Sequence, residues 1–385
     1  MRILYFTRGY TPHDRRFLTA LAGTEHQIFF LQLEKQAYTL EDRPVPPEVE
    51  IIPWAGGKEA LRRVDYPRLE KDLKRVIRQY QPDLIHAGPI QTAALLAART
   101  GFHPLVSMSW GSDLLKDAES SPWNLEATRY TLSRTDVLVG DCLPVHQKAI
   151  EFGMPDERIV IFPWGVDLKH FSPLPENYRP EDVLYPRSQQ VFTLLSVRSW
   201  EPLYGVDVIA RAFIQAAQEL RARGGPELRL LLAGTGSQAS LLRKIFMQGG
   251  VMEQVIFTGQ VSYANLPRCY RSADLYLSAS HSDGTSISLL EAMACGCPVL
   301  VSDIPGNRPW VEPGVQGWLF PDGDSTALAQ AILRAIELRE RLPEMGCAAR
   351  RLAEERADWP RNFQKLLHAY ELALRLGGHP AHAGI

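Results

Sequence analysis

Short, nearly continuous apolar runs alternate with longer amphipathic stretches along most of the chain. Residues 2–7 (RILYFT), 27–33 (QIFFLQL), 83–87, 104–109, 136–140 and 158–162 read as strands. Between most of them, near 59–80, 90–99, 123–134 and 143–152, apolar positions recur at helical spacing. Strands that are apolar on both faces and separated by helices imply a parallel sheet covered on both sides. The alternation stops at 163–190, where five prolines and mixed charge leave no periodicity. It then resumes, with strands at 192–197, 227–234, 254–259, 274–280 and 298–303 and helices near 205–221, 237–247 and 288–295. A last amphipathic helix is expected over 359–376. The pattern predicts two doubly wound α/β domains in tandem, each Rossmann-like. The first covers 1–170, a linker 171–190, the second 191–358, and 377–385 is expected to form a loose tail.

Composition narrows the function classes. A hydrophobic content of 45% with 22% charged residues supplies a core for each domain. The net charge of −2 offers no field that would draw nucleic acid. The five cysteines are odd in number and hold no C-x-x-C pair, which fits a reducing cytoplasm rather than a disulfide framework. No H-E-x-x-H occurs, and no apolar run reaches the ~18 residues a membrane span needs. The N-terminal residues MRILYFTRGY read as a strand rather than a secretion signal.

One stretch concentrates chemistry. Residues 274–303 (DLYLSASHSDGTSISLLEAMACGCPVLVSD) read as strand, loop, helix, strand, a βαβ unit whose loop lies at the carboxyl edge of the sheet, where open α/β sheets bind ligands. Gly284, Thr285, Ser286, Ile287 and Ser288 lead into the helix, so unpaired N–H groups and the helix dipole face an anion there. Asp283 precedes the helix and Glu291 lies about one turn into it. An anion at the helix start with hydroxyls on the carboxylates describes a nucleotide sugar. The same residues also fit a turn at Asp283-Gly284 and a capping box from Ser288 to Glu291, and spacing alone leaves these readings level.

This stretch resembles the acidic-x7-Glu signature of retaining glycosyltransferases of family GT4, which have the two-domain GT-B fold. Asp283 stands for the family's first Glu, Glu291 for the second, and AMACGCPV follows as in the family. Segments 82–87, 160–171, 231–236, 255–259 and 317–324 are similar to family segments in the same order. The resemblance implies that Arg198 and the Thr285–Ser288 amides hold a donor diphosphate, that Glu291 binds ribose and that Asp283 binds the donor sugar. Arg198 and Asp283 are thereby the expected catalytic pair. It further implies that Gly9 and Gly234 let the backbone approach the donor, and that Gln260 and Val261 read the base. No metal and no other cofactor is expected. In the family pattern a Lys precedes a Gly shortly after the Arg, whereas here Leu203-Tyr204 precedes Gly205. The segment SMSWGSDLL carries Trp110 where a His is usual, three residues before Asp113. Trp110, Asp113 and the polar helix start His13, Asp14 and Arg15 are assigned to the acceptor and sugar side, with Asp14 also fitting an N-terminal cap.

The expected activity is transfer of a sugar, with retention, from a nucleoside diphosphate (uridine as the base) to a small-molecule, lipid-linked or glycan acceptor in the cleft between the domains. An epimerase or phosphorylase of the same fold and a non-catalytic sugar-nucleotide binding protein remain as alternatives. An NAD-dependent oxidoreductase is suggested by Gly234–Ala239 (GTGSQA), but Gln260 stands where the ribose acid would be needed. The stretch 56–80 has eight Lys or Arg against four Asp or Glu, which admits weak association with an anionic membrane surface beside the simpler reading of a solvated helix face.

Overall fold

The computed structural model describes residues 1–35, 41, 43–175 and 177–377. Two compact units emerge, one formed by the described residues of 1–163 and 360–385 and the other by those of 164–359. Of the segment 377–385, expected as a loose tail, Gly377 ends the last helix and 378–385 lie outside the described residues.

The first unit is built on seven parallel strands: β1 (Arg2–Thr7), β2 (Gln27–Gln32), β3 (Val49–Ile51), β4 (Leu84–Gly88), β5 (Leu105–Met108), β6 (Val137–Gly140) and β7 (Ile159–Ile161). Their spatial order is β3-β2-β1-β4-β5-β6-β7. β1 lies inside the sheet, with Leu4 facing Phe29 of β2 on one side and Ile85 of β4 on the other. Leu4, Phe6, Phe29, Ile85 and Ala87 are all buried, which is why these strands carry almost no polar residues. The helix Trp359–Gly377 buries Phe363, Leu366, Ala369, Tyr370 and Ala373, one apolar stripe at three- and four-residue spacing. Within the first unit Tyr370 Oη lies 2.6 Å from Nδ1 of His86, in the middle of β4. Burial pushes His86 down to about 3, so its ring stays neutral and needs that partner.

The second unit holds six parallel strands: β8 (Val191–Ser196), β9 (Glu227–Ala233), β10 (Val255–Gly259), β11 (Leu275–Ser278), β12 (Val299–Ser302) and β13 (Gly317–Phe320), in the order β10-β9-β8-β11-β12-β13. The helix Val206–Arg223 covers them with Ile209, Phe213, Ala216 and Leu220. The sequence pattern did not signal β3, β13 or the helices Leu266–Ser272, Ser325–Glu337 and Leu342–Arg356. β3 is a three-residue edge strand with two exposed residues, too short to show a period. The stretch 171–190 is counted within the second unit rather than as a free linker. Its Phe171 is fully buried, and the N–H groups of Leu184 and Tyr185 both donate to Ser272 Oγ, at 2.7 and 3.0 Å.

In each sheet the strand order reverses beside the central strand, between β1 and β4 and between β8 and β11. At such a switch point the loops leaving two neighbouring strands diverge to opposite faces and open a crevice at their carboxyl ends. Among the described residues, no helix is long and apolar enough to cross a membrane.

Candidate functional site

Arg198 leaves the end of β8, and the loop 279–286 leaves the end of its neighbour β11. The switch point of the second sheet thus brings together residues that are 85 positions apart in sequence. Arg198 Nη2 donates to Asp283 Oδ2 at 2.7 Å, and Nη1 donates to Ser286 Oγ at 2.7 Å and Ser288 Oγ at 3.0 Å. The Tyr204 ring covers the guanidinium, with its centroid 4.3 Å from Cζ. The Arg198 side chain is 11% exposed and that of Asp283 is 20%. Burial alone would lower the Arg198 pKa, but Asp283 beside it, helped by Tyr276 and Tyr204, raises it above its ordinary value.

The helix after the loop is Ile287–Ala294, with Ser286 at its N-cap in extended conformation. Ser286 makes no side-chain capping bond, because its hydroxyl is turned to Arg198. The first amides of this helix therefore lack the usual side-chain acceptor, next to a fixed cation. Ser288 also meets Tyr276 Oη at 2.7 Å, so the serine that receives Arg198 is itself held from β11. Gly284 and Thr285 complete the loop and are buried with it.

Glu291 is buried in the same helix and accepts from Tyr270 Oη at 2.8 Å. With the helix starting at Ile287, Ser288 is not the cap residue, so the capping box from Ser288 to Glu291 is absent. Burial, with Glu291 beside it, keeps Tyr270 protonated as a donor. Gly234, just after β9, has a backbone φ of +137°, and a Cβ there would stand 2.5 Å from the Arg198 carbonyl oxygen. It is the contact that lets the β9 loop close under Arg198. Gln260 and Val261 follow β10, with Gln260 exposed and Val261 half-buried.

The first unit gathers the remaining expected residues less tightly. Gly9 is buried after β1, and His13 and Trp110 approach with ring centroids 5.2 Å apart, Trp110 also meeting Phe17 edge-on at 6.2 Å. Arg15 donates to Thr19 Oγ1 along its own helix. Two assignments to the acceptor side need correction. Asp14 is fully buried, forms a capping box with Thr11 and accepts from Tyr5 Oη at 3.1 Å. Asp113 is buried and accepts from Ser109 Oγ and from the N–H groups of Ile90, Trp110 and Leu114. Both carboxylates spend their oxygens inside the unit, fastening its loops. Burial raises each to about 6 despite these hydrogen bonds. The T-x-x-D spacing of Thr11 and Asp14 carries the capping signal in sequence.

Three tyrosines were not foreseen at the site: Tyr204, Tyr270 and Tyr276. The signal was available in the rule that a buried phenol needs a polar partner, with Tyr276 inside the apolar strand β11 and Tyr270 in the helix before it. The basic stretch 56–80 forms the helix Tyr66–Tyr80, where Lys74 pairs with Glu70 and Arg75 with Asp72, so much of its charge is neutralised locally.

Residues 186–352 match the family of glycosyl transferases group 1, and residues 2–141 match the glycosyl transferase 4-like family. A D-inositol 3-phosphate glycosyltransferase of Thermobispora bispora is 28% identical over 379 residues, covering 89% of this chain and 86% of that protein. A phosphatidyl-myo-inositol mannosyltransferase of Mycobacterium leprae is 32% identical over 222 residues, covering 57% of this chain and 54% of its own length. Among solved structures, HepE of Anabaena in complex with UDP and glucose superposes with a TM-score of 0.78 at 21% identity, covering 96% of this chain and 99% of that one. Sucrose-phosphate synthase of Thermosynechococcus elongatus gives 0.75 at 19% identity, covering 96% and 98%.

Proposed function

Because the chain belongs to the glycosyltransferases of family 4 type, with the GT-B fold, we propose that it moves a sugar from a nucleoside diphosphate donor to a hydroxyl acceptor with retention of configuration. The observation that carries the donor reading is the fixed guanidinium of Arg198 at the uncapped start of the helix Ile287–Ala294. Charge builds on the diphosphate as the sugar leaves, and a preoriented cation with helix amides meets that charge without reorganising. In this reading Glu291, oriented by Tyr270, accepts from the ribose hydroxyls, and Asp283 accepts from the donor sugar. Arg198 and the amides supply the positive charge that a divalent cation supplies in other transferases, so the reaction is proposed to run without metal. No nucleophile is assigned to any side chain.

Uridine is the proposed base, in line with the UDP bound to the Anabaena structure. The names of the two relatives make phosphorylated and lipid-linked polyols the first acceptors to test. A thermal-shift panel of UDP, GDP, ADP and NAD, each with and without EDTA, tests the donor reading. UDP is expected to stabilise the protein by about 2.7 kcal/mol at a hundredfold excess over its dissociation constant, equally in EDTA. Loss of that shift on chelation overturns the metal-free step, and a response to NAD alone overturns the transferase reading. The anomeric configuration of a product formed from an α-linked donor tests retention.

A further inference from the structure

We propose that Tyr204 is a positioning residue for the donor diphosphate, its ring fixing the plane in which the Arg198 guanidinium meets phosphate. The inference rests on the donor reading above and concerns a residue that the sequence marked only as a departure, where Leu203-Tyr204 precedes Gly205.

The guanidinium is fixed at its edges from one side. Nη2 is drawn to the Asp283 carboxylate and Nη1 to the hydroxyls of Ser286 and Ser288, all on the loop and helix after β11. Those bonds leave its flat face open. The guanidinium carbon stands over the Tyr204 ring, with 4.3 Å between ring centroid and Cζ. A planar, weakly hydrated cation that is largely removed from water gains from an aromatic face both dispersion and the attraction of the ring quadrupole.

The ring is itself held in place by a braced turn. Pro202–Tyr204 is a single tight turn ended by Gly205 at φ +58°. A Cβ on Gly205 would stand 2.1 Å from the Ala279 carbonyl oxygen, so the turn sits directly on the start of the loop after β11. His281 N donates to Leu203 O at 2.9 Å, and Glu201 accepts from Ser237 N at 2.8 Å, tying the turn to both flanking loops. Tyr204 is therefore carried by backbone that is anchored at the two edges of the crevice, and it contributes orientation where it contributes no charge. Without the ring, the strongest remaining pull on the guanidinium is Asp283, a carboxylate that competes with phosphate for the same N–H groups.

Binding of UDP and of uridine, measured by titration calorimetry on the intact protein, separates this role from general support. Tyr204→Leu is expected to weaken UDP about two- to thirty-fold, the range of a partly desolvated cation–π contact, while uridine affinity stays as in the parent. Tyr204→Phe is expected to bind UDP within about twofold of the parent, since the face is kept. In an Arg198→Gln background, Tyr204→Leu is expected to cost little further UDP affinity, because the two act as one unit. Equal losses of UDP and uridine, no loss in Tyr204→Leu, or a Phe variant as weak as the Leu variant each overturn the inference. A parent protein that binds UDP no better than uridine instead overturns the phosphate reading beneath it, and the inference with it.

Discussion

Asp283→Asn separates two demands that the site makes on one carboxylate. In the structure Asp283 is paired with Arg198 at 2.7 Å, yet the donor reading asks the same guanidinium to hold phosphate. A phosphate on the Arg198 fork would have its charge about 6 Å from the Asp283 carboxylate, and with an effective dielectric of about 20 that repulsion is about 3 kcal/mol. Asp283 is 20% exposed and reached by salt, which reduces the figure to about 1 to 1.5 kcal/mol, or five- to tenfold in affinity. The amide oxygen of Asn can still accept from Nη2, so Arg198 keeps a partner while the competing charge is gone. Bare UDP is therefore expected to bind five- to tenfold more tightly to Asp283→Asn, with the gain shrinking as ionic strength rises. Transfer moves the other way. If the carboxylate accepts from the donor sugar, losing a charge-assisted hydrogen bond costs about 1.5–3 kcal/mol, roughly ten- to a hundredfold in rate. Calorimetry with UDP at two salt concentrations and initial rates with the sugar donor read both quantities on one variant. UDP binding that is unchanged or weaker would refute the electrostatic argument, and unchanged transfer would refute the sugar contact.

Glu291→Gln is expected to lower UDP affinity about tenfold with melting temperature nearly unchanged, because Gln can still accept from Tyr270 while offering ribose a weaker acceptor. A large drop in melting temperature with intact affinity would make Glu291 a structural residue. Gly205→Ala should destabilise the second unit by more than 1 kcal/mol, lowering the melting temperature by about 2–4 °C for each kcal/mol, since its Cβ meets the Ala279 carbonyl; a variant as stable as the parent contradicts the braced turn. Asp113 has a folded pKa of about 6 against an ordinary 3.8, so the folded state binds the extra proton between these values and stability falls as pH rises through that window. The shift corresponds to at most about 3 kcal/mol, and Asp113→Asn should flatten the unfolding free energy between pH 4 and 6 relative to the parent; parallel curves would show that Asp113 does not titrate there.

The strands with nearly continuous apolar runs, such as RILYFT and VFTLLS, were legible because a strand buried on both faces leaves little room for polar residues. The helix start at Ser286 was legible to within a residue from its glycine, serines and following apolar run. What escaped was pairing. Arg198 and Asp283 meet because β8 and β11 are neighbours although β9 and β10 intervene in the chain, and no local spacing encodes that adjacency. Tyr270 with Glu291 and Tyr276 with Ser288 escaped for the same reason. Asp14 and Asp113 misled for a different one. Both lie on the segments that follow strands β1 and β5, and only burial reveals that their oxygens are already spent on N–H and hydroxyl groups of their own unit.

The contact between His86 and Tyr370 also sets an order of events during synthesis. Its two partners lie 284 residues apart, so at 5–20 residues per second the ribosome needs roughly 15 to 60 s to deliver the second after the first. Through that interval the first sheet has emerged with a neutral imidazole in β4 and no phenol to meet it. The second unit is continuous in the chain and closes as soon as residue 359 is out. The unit translated first is thus the one completed last.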